Sequence, residues 1–418
     1  MRILIVAGFF PPHAPNSATR APAFARHLLS SGHEVRVLGA HNTRIHPVLA
    51  HNLPEEIVTF APVIEARELA PRKSDHAGPA KPWTRISASA LAFFGVPEQR
   101  IGWLPYATAL GRRIARDWHP DLIFATSPPA ASLLVASSLS KKLGVPWVAE
   151  FRDLWTDHPY YDRKGLLARF ERWLERRTLN TASGIVTVTE GWAAQLRDEY
   201  RQPVICAMNG YDPNDFSDVP VPPPTDGPLT LVYGGGLYNG KRDPTPLFKA
   251  IKSLGWTKDD VLIRFFVGTP AEIEELAREH GISDCVTVEK MISRAELLKI
   301  QQESDILLLL RWDDPGEDHV LAGKLFEYAG CRRPILSVGR TVGEAAEIIR
   351  AYRLGAIGTD PDNIAGHLKR WQDEKQSGGV PAPCENPPEV LARVCQFNRL
   401  ERFLRTIIND PPLISGNA

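Results

Sequence analysis

Apolar runs of strand length alternate with helix-period amphipathic stretches along most of the chain. RILIVAG over 2–8 opens the series, a helical pattern follows over about 17–31, and EVRVLGA begins at Glu34. DLIFATS, VPWVAEF, GIVTVTE and PVICAMN continue it, separated by helical stretches such as RFERWLERRTLN. Apolar strands joined by crossover helices predict a parallel sheet with helices on both faces. The Pro-rich run NDFSDVPVPPPTDGP over 214–228 then breaks the pattern, which restarts with LTLVYGGG, VLIRFFVG, CVTVE, DILLLL and PILSV. A chain of 418 residues exceeds what one core organises. The expected fold class is therefore α/β, with two doubly wound, Rossmann-like domains facing a cleft, where ligands usually bind. The N-terminal domain is expected over 1–213, a linker over 214–228 and the C-terminal domain over 229–395. The tail 396–418, with NRLERFLRTII, is expected to form a helix that packs back on the first domain.

Composition removes several function classes. Lys plus Arg and Asp plus Glu are equal at 49 each, so bulk charge gives no case for nucleic-acid binding. Five cysteines, odd in number and without CxxC spacing, read as reduced thiols of a cytoplasmic protein. MRILIVAGFF lacks a cleavage site and reads as a first core strand rather than a signal peptide. No uncharged apolar run reaches the roughly 18 residues a membrane span needs.

The stretch GEDHVLAGKLFEYAGCRRPIL places Lys324 and Glu327 three positions apart at the start of a predicted helix. That spacing is common for a surface ion pair. Here, however, the helix lies between two apolar strand runs, DILLLL and PILSV, so it opens at the carboxyl end of a strand. Open α/β sheets bind nucleotides there, since helix N-termini present unpaired N–H groups to phosphate.

Taken with the two-domain order, NGYD over 209–212, GGGLYNGK at the opening of the second domain and GKLFEYAGCRRPIL resemble family 4 glycosyltransferases of the GT-B fold. The resemblance covers nearly the whole chain and is weakest over 44–90. It implies transfer of a sugar from a nucleotide sugar, such as a UDP- or GDP-sugar, with retention of configuration and with neither metal nor other cofactor. The donor would lie mainly on the C-terminal domain and the acceptor mainly on the N-terminal one. Glu327 matches the second of the family's two donor-motif glutamates, which holds the ribose. At the first position stands His319, leaving Glu317, Asp318 and Lys324 as candidates for that role. Gly236 stands where the family often has arginine, while Lys241 keeps the expected lysine.

The resemblance thus assigns donor binding to Gly235, Gly236, Lys241, Arg242, Lys324 and Glu327. Glycines allow close backbone approach to a diphosphate. Cations at Lys241 and Arg242 would stabilise the charge that grows on the departing nucleoside diphosphate. The acidic DDPGED over 313–318 lies beside the donor motif and is not taken as a metal site. Asp153, in EFRDLW after a buried strand, matches the residue that contacts the transferred sugar, so Asp153 and Lys241 are the catalytic candidates; the plainer role for Asp153 is a helix cap or a partner for Arg152. In FFPPHAPNSATR, Asn16, Ser17 and Arg20 are candidates for acceptor phosphate, or for capping the following helix.

The resemblance implies cell-surface polysaccharide synthesis with a polyprenyl-diphosphate-linked saccharide as acceptor. The alternatives are another GT-B enzyme, such as a sugar-nucleotide epimerase or a soluble-acceptor transferase, and a non-catalytic GT-B partner protein. Over 71–103, Arg72, Lys73, Lys81, Arg85 and Arg100 interleave with aromatic and aliphatic residues ending at Trp103. This mixture suits peripheral contact with the anionic inner face of the cell membrane, its alternative being a core segment with solvated cations.

Overall fold

The computed structural model describes residues 1–13, 18–41, 52–63, 101–159, 161, 164–216, 221, 224–238, 240–384 and 386–410. The chain divides into two compact units, Met1–Ala207 with Phe397–Ala418, and Met208–Gln396.

The first unit contains β1 (Arg2–Ala7), α1 (Arg20–Ser30), β2 (Glu34–His41), β3 (Val58–Pro62), α2 (Leu104–Asp117), β4 (Leu122–Ser127), α3 (Ala131–Leu143) and β5 (Trp147–Phe151). It continues through α4 (Gly165–Leu179), β6 (Gly184–Thr187), α5 (Glu190–Glu199) and β7 (Val204–Cys206). The strands form one parallel sheet in the order β3-β2-β1-β4-β5-β6-β7. Every residue of β4 and β5 is buried, as strands covered on both faces require. The order reverses between β1 and β4, and there the loop after β1 packs on the loop after β4. A β-carbon at Gly8 would lie 2.4 Å from Pro129, and the Gly8 N–H donates to Ser132 Oγ at 3.0 Å.

The second unit comprises β8 (Leu229–Gly234), α6 (Thr245–Leu254), β9 (Val261–Phe266), α7 (Pro270–His280), β10 (Val286–Glu289), α8 (Arg294–Glu303) and β11 (Ile306–Leu310). After these come α9 (Gly323–Cys331), β12 (Ile335–Val338), α10 (Glu344–Ala351), β13 (Gly355–Gly358) and α11 (Pro361–Gln376). Its parallel sheet runs β10-β9-β8-β11-β12-β13, with the reversal between β8 and β11. Asp305, fully buried at the start of β11, takes Lys375 of α11 at 2.7 Å and the Thr230 N–H and hydroxyl at 2.8 Å.

The second unit starts before the Pro-rich run rather than after it. Tyr211 donates its N–H to Leu391 O, and Met208 donates to Gln396 Oε1. Asp215 pairs with Arg294, the Phe216 ring fills the space a β-carbon at Gly330 would need, and Val221 O accepts from Arg333. Proline density signals a break in regular structure, but these side chains still find partners.

The last helix, α12 (Arg393–Asn409), crosses from the second unit to the first. Phe397, Leu400, Phe403, Leu404 and Ile407 join the first unit's core with Ile3, Ile5, Phe24, Leu28 and Phe124. Glu401 meets His27 at 3.2 Å and His33 at 2.9 Å. A β-carbon at Gly184 would sit 2.7 Å from the Phe403 ring, so α12 packs at closest approach.

Residues 71–100 of the expected membrane segment lie outside the described residues. At its end, Trp103 is completely buried just ahead of α2, so this ring is part of the core and does not face a bilayer.

Helix α4 buries Glu171 and Glu175 toward the loop that follows β5. Tyr161 donates its hydroxyl to Glu171, and Thr156 donates both its N–H and its hydroxyl to Glu175. Burial pushes the Glu175 carboxyl up to about 7, against the Thr156 hydrogen bonds that pull the other way. Between the unfolded value of 4.5 and about 7 the native state holds a proton the unfolded chain has lost, so this group costs stability as pH rises. Glu175→Gln keeps the acceptor and removes the titration. Its stability relative to wild type, from urea unfolding, is expected to improve by as much as about 3 kcal/mol between pH 5 and pH 8; a pH-independent difference would contradict this origin.

Candidate active site

The loops after β8 and β11 flank the second unit's strand-order reversal, the position where open parallel sheets hold ligands. Two lysine–aromatic contacts tie elements of this edge together. Lys324, at the second position of α9, reaches back to β8 and places Nζ 3.9 Å from the Tyr233 ring centroid. Lys241, in the loop after β8, lies 4.1 Å over Trp312 in the loop after β11.

Gly235 makes the first contact possible. With φ +136° it adopts backbone that L side chains avoid, and a β-carbon there would lie 2.8 Å from Lys324 Nζ. At neighbouring Gly236 an added β-carbon would meet nothing closer than 3.5 Å, so that position is exposed and sterically open. The Tyr233 hydroxyl donates to Gly236 O at 2.7 Å, fixing the turn from below. Arg242 is buried, hydrogen-bonds the Tyr233 hydroxyl and lies 4.4 Å over the Tyr238 ring.

The Lys324 ammonium is buried and makes no hydrogen bond among the described residues. Burial and then the positive Arg242 lower its pKa well below the ordinary lysine value, against the pull of Glu327. An ammonium held this way gains from an anion more than a solvated lysine would. Lys324, Arg242 and Lys241 therefore bring three basic side chains to this edge, with Glu327 on the next turn of α9.

Glu327 sits one turn further along α9. Its Oε1 accepts from Arg294 Nε at 2.7 Å, and Arg294 also donates to Asp215 at 2.8 Å. The second oxygen of Glu327 has no partner among the described residues and the side chain is partly exposed. Near the first donor-motif position the neighbouring side chains differ in their surroundings. Glu317 is buried; Asp318 takes both arms of Arg340 at 2.7 and 3.0 Å; His319 lies 3.2 Å from Glu344. Arg340 therefore holds Asp318 below the usual carboxylate range and occupies it. Asp314 accepts from the Gly316 N–H, so two acids of the DDPGED run, Asp314 and Asp318, already have partners. Buried Arg311 anchors that loop to the one after β12 through Arg340 O, Val342 O and Glu317 O.

In the first unit, Asp153 follows β5 with about half its side chain exposed, 3.5 Å from His158. Its neighbour Arg152 turns inward and donates to Pro128 O at 2.8 Å, acting on Asp153 through charge alone. Arg20, expected at the acceptor, is only 5% exposed. It pairs with buried Glu150 at 2.9 Å, donates to Ala207 O at 2.8 Å and lies over Phe397. Its guanidinium holds the sheet edge instead of facing solvent, because Glu150 in β5 would otherwise be an unpaired buried charge. Asn16 and Ser17 lie outside the described residues.

Sequence reading missed Tyr233, Trp312 and Arg294. The first two adjoin recognised features, one directly before GGG and the other two residues after DILLLL. Arg294, 33 residues from Glu327, carried no local signal.

Residues 17–207 match the model of the glycosyl transferase 4-like domain, nearly the extent of the first unit before α12. No curated protein matches the sequence. Among solved structures, sucrose-phosphate synthase from Thermosynechococcus elongatus is similar at 14% identity and TM-score 0.66, covering 98% of this chain and 99% of its own. Anabaena HepE in complex with UDP is similar at 13% identity and TM-score 0.67, over 97% and 100% of the two chains. A UDP-N-acetylglucosamine 2-epimerase shares the fold at 15% identity and TM-score 0.54, over 97% and 96%. The chain accordingly has the GT-B fold, and its residues 17–207 match a glycosyl transferase 4-like domain.

Proposed function

We propose that the protein transfers a sugar, with retention, from a nucleoside-diphosphate sugar bound on the second unit to a lipid-linked saccharide acceptor recognised by the first, in cell-surface polysaccharide synthesis on the cytoplasmic side of the membrane. The observation that carries the donor assignment is the buried, hydrogen-bond-free Lys324 ammonium beneath Gly235, beside Arg242. A diphosphate would supply the missing negative charge, with Gly235 and Gly236 offering backbone approach. The open oxygen of Glu327 would accept from ribose hydroxyls while Arg294 holds the other. HepE, a structural neighbour, has been captured with UDP-glucose, which favours a uridine nucleotide as the first donor to test.

In the transfer step the bond between the anomeric carbon and the diphosphate oxygen breaks as the acceptor hydroxyl oxygen bonds that carbon, and the diphosphate takes the electron pair and the hydroxyl proton. Lys241, Arg242 and Lys324 would stabilise that charge as it grows. Asp153, exposed and beside His158, would orient sugar hydroxyls or face the developing positive centre. A lipid-linked acceptor rests on the family resemblance. Among the described residues no helix is long and apolar enough to cross the membrane.

The decisive experiment is turnover of UDP-glucose and other nucleotide sugars by the purified protein, preceded by a thermal-shift screen in which a true donor raises Tm. Formation of an epimeric nucleotide sugar, with no transfer to any saccharide, would instead favour the epimerase reading that the shared fold keeps open.

Lys324→Met keeps the side-chain stem and removes the charge. It is expected to weaken nucleoside diphosphate about tenfold to a hundredfold while leaving the bare nucleoside unaffected. Burial lowers the Lys324 pKa and a bound diphosphate would raise it, so diphosphate binding to wild type should take up a proton at pH values between the two. Calorimetry in buffers of different ionisation enthalpy measures that uptake, and an unlinked binding heat counts against the assignment.

Lys241→Ala should reduce kcat more than donor affinity, since its charge matters most as the diphosphate departs. Steady-state kinetics with separately measured donor Kd resolves the two. Activity should also persist in excess EDTA, because the cationic edge meets the leaving-group charge and Asp314 and Asp318 are already engaged. Loss of turnover restored only by Mg²⁺ or Mn²⁺ would overturn this.

A further inference from the structure

Helix α4 turns the usual amphipathic arrangement inside out. Glu171 and Glu175 point inward to Tyr161 and Thr156, while Leu166 is 82% and Trp173 is 52% exposed. Leu166, Arg169, Phe170, Trp173, Arg176 and Arg177 recur at helical spacing of three and four, so they share one outward stripe about 17 Å long. Burying both acids leaves no carboxylate of α4 on that stripe. The Phe170 and Trp173 rings stack at 5.6 Å, and Arg177 lies 5.5 Å from the Trp173 ring. Arg176 is balanced by Glu199 at 2.9 Å, but Arg169 and Arg177 form no ion pair among the described residues. A shallow cavity of about 540 Å³ opens between these arginines and Trp173.

We infer that this face of α4 docks the first unit on an anionic bilayer surface. The arginines would meet headgroup phosphates while Leu166 and Trp173 enter the headgroup region, where an amphipathic ring and an aliphatic side chain gain from partial dehydration. Charge complementarity selects this occupant. An ordinary solvated helix would expose its glutamates, and here both are sequestered. Each unbalanced cation near such a surface raises partitioning about fivefold at moderate salt. The inference deepens the membrane-side part of the proposed function and names residues other than Arg72, Lys73, Lys81 and Arg85.

The test is sedimentation of the full chain with vesicles of three parts phosphatidylcholine to one part phosphatidylglycerol, compared with phosphatidylcholine alone. Wild type is expected to pellet with the anionic vesicles at low salt and to be released by high salt. Arg169→Gln with Arg177→Gln should weaken this about tenfold or more, as should Leu166→Ser with Trp173→Ser, with unchanged Tm and an unchanged thermal shift on adding nucleotide sugar. Those last readouts separate this inference from the donor assignment, since either fails without the other. The inference is overturned if both double variants bind like wild type, if wild type ignores anionic vesicles, or if submillimolar inorganic phosphate at constant ionic strength displaces the protein, which would mark a discrete anion pocket. Wild-type dimerisation lost on Trp173→Ser would overturn it in favour of a second copy as occupant.

Discussion

A buried ammonium without a hydrogen-bond acceptor fixes the geometry of the second unit's functional edge. Lys324 can occupy that place only because Gly235 has no side chain and the Tyr233 ring offers its face. Tyr233 in turn is held by Gly236 O and by Arg242, so the loop after β8 is shaped around one charge that α9 delivers. The arrangement is unfavourable on its own terms, and proteins tolerate such local cost where a ligand relieves it. Lys241 over Trp312 makes a second lysine–aromatic contact, between the loops after β8 and β11.

Glu150, which no sequence feature marked for function, and the donor-motif Glu327 ended in different circumstances for a shared reason. Glu150 and Glu327 both lie near carboxyl ends of parallel strands, where dipoles and loops gather charge, and both acquired an arginine from a distant part of the chain. Arg20 satisfies Glu150 completely and both are buried. Arg294 is shared between Glu327 and Asp215 and leaves one Glu327 oxygen open. The difference between a structural pair and a candidate binding group is thus a matter of how many partners compete for the same guanidinium.

The strands were legible because burial on both faces writes itself as an uninterrupted apolar run: DILLLL became β11 and PILSV became β12, within a residue at each end. The parallel, doubly wound order followed from their alternation with helices. Around the site, GGG and the Lys324–Glu327 pair could be placed on a strand's carboxyl edge from spacing alone. Partners separated by 130 residues, as Arg20 and Glu150 are, leave no local trace. The outward face of α4 was equally hidden, since periodicity gives a stripe but not its direction, and glutamates would ordinarily be assigned to solvent. Proline density over 214–228 announced irregular backbone correctly while saying nothing of the side chains that anchor it to α8, α9 and Arg333.

Helix α12 supplies the first unit's core with five apolar side chains that arrive nearly two hundred residues after β7. Until α12 is made, the apolar side chains of Phe24, Leu28 and Phe124 lack the partners that α12 brings them. The second unit, whose contacts fall within one continuous stretch, can complete itself during that interval. The first unit's core therefore closes only after residues 397–407 have been made, so its closure is a high-separation event that follows synthesis of the second unit.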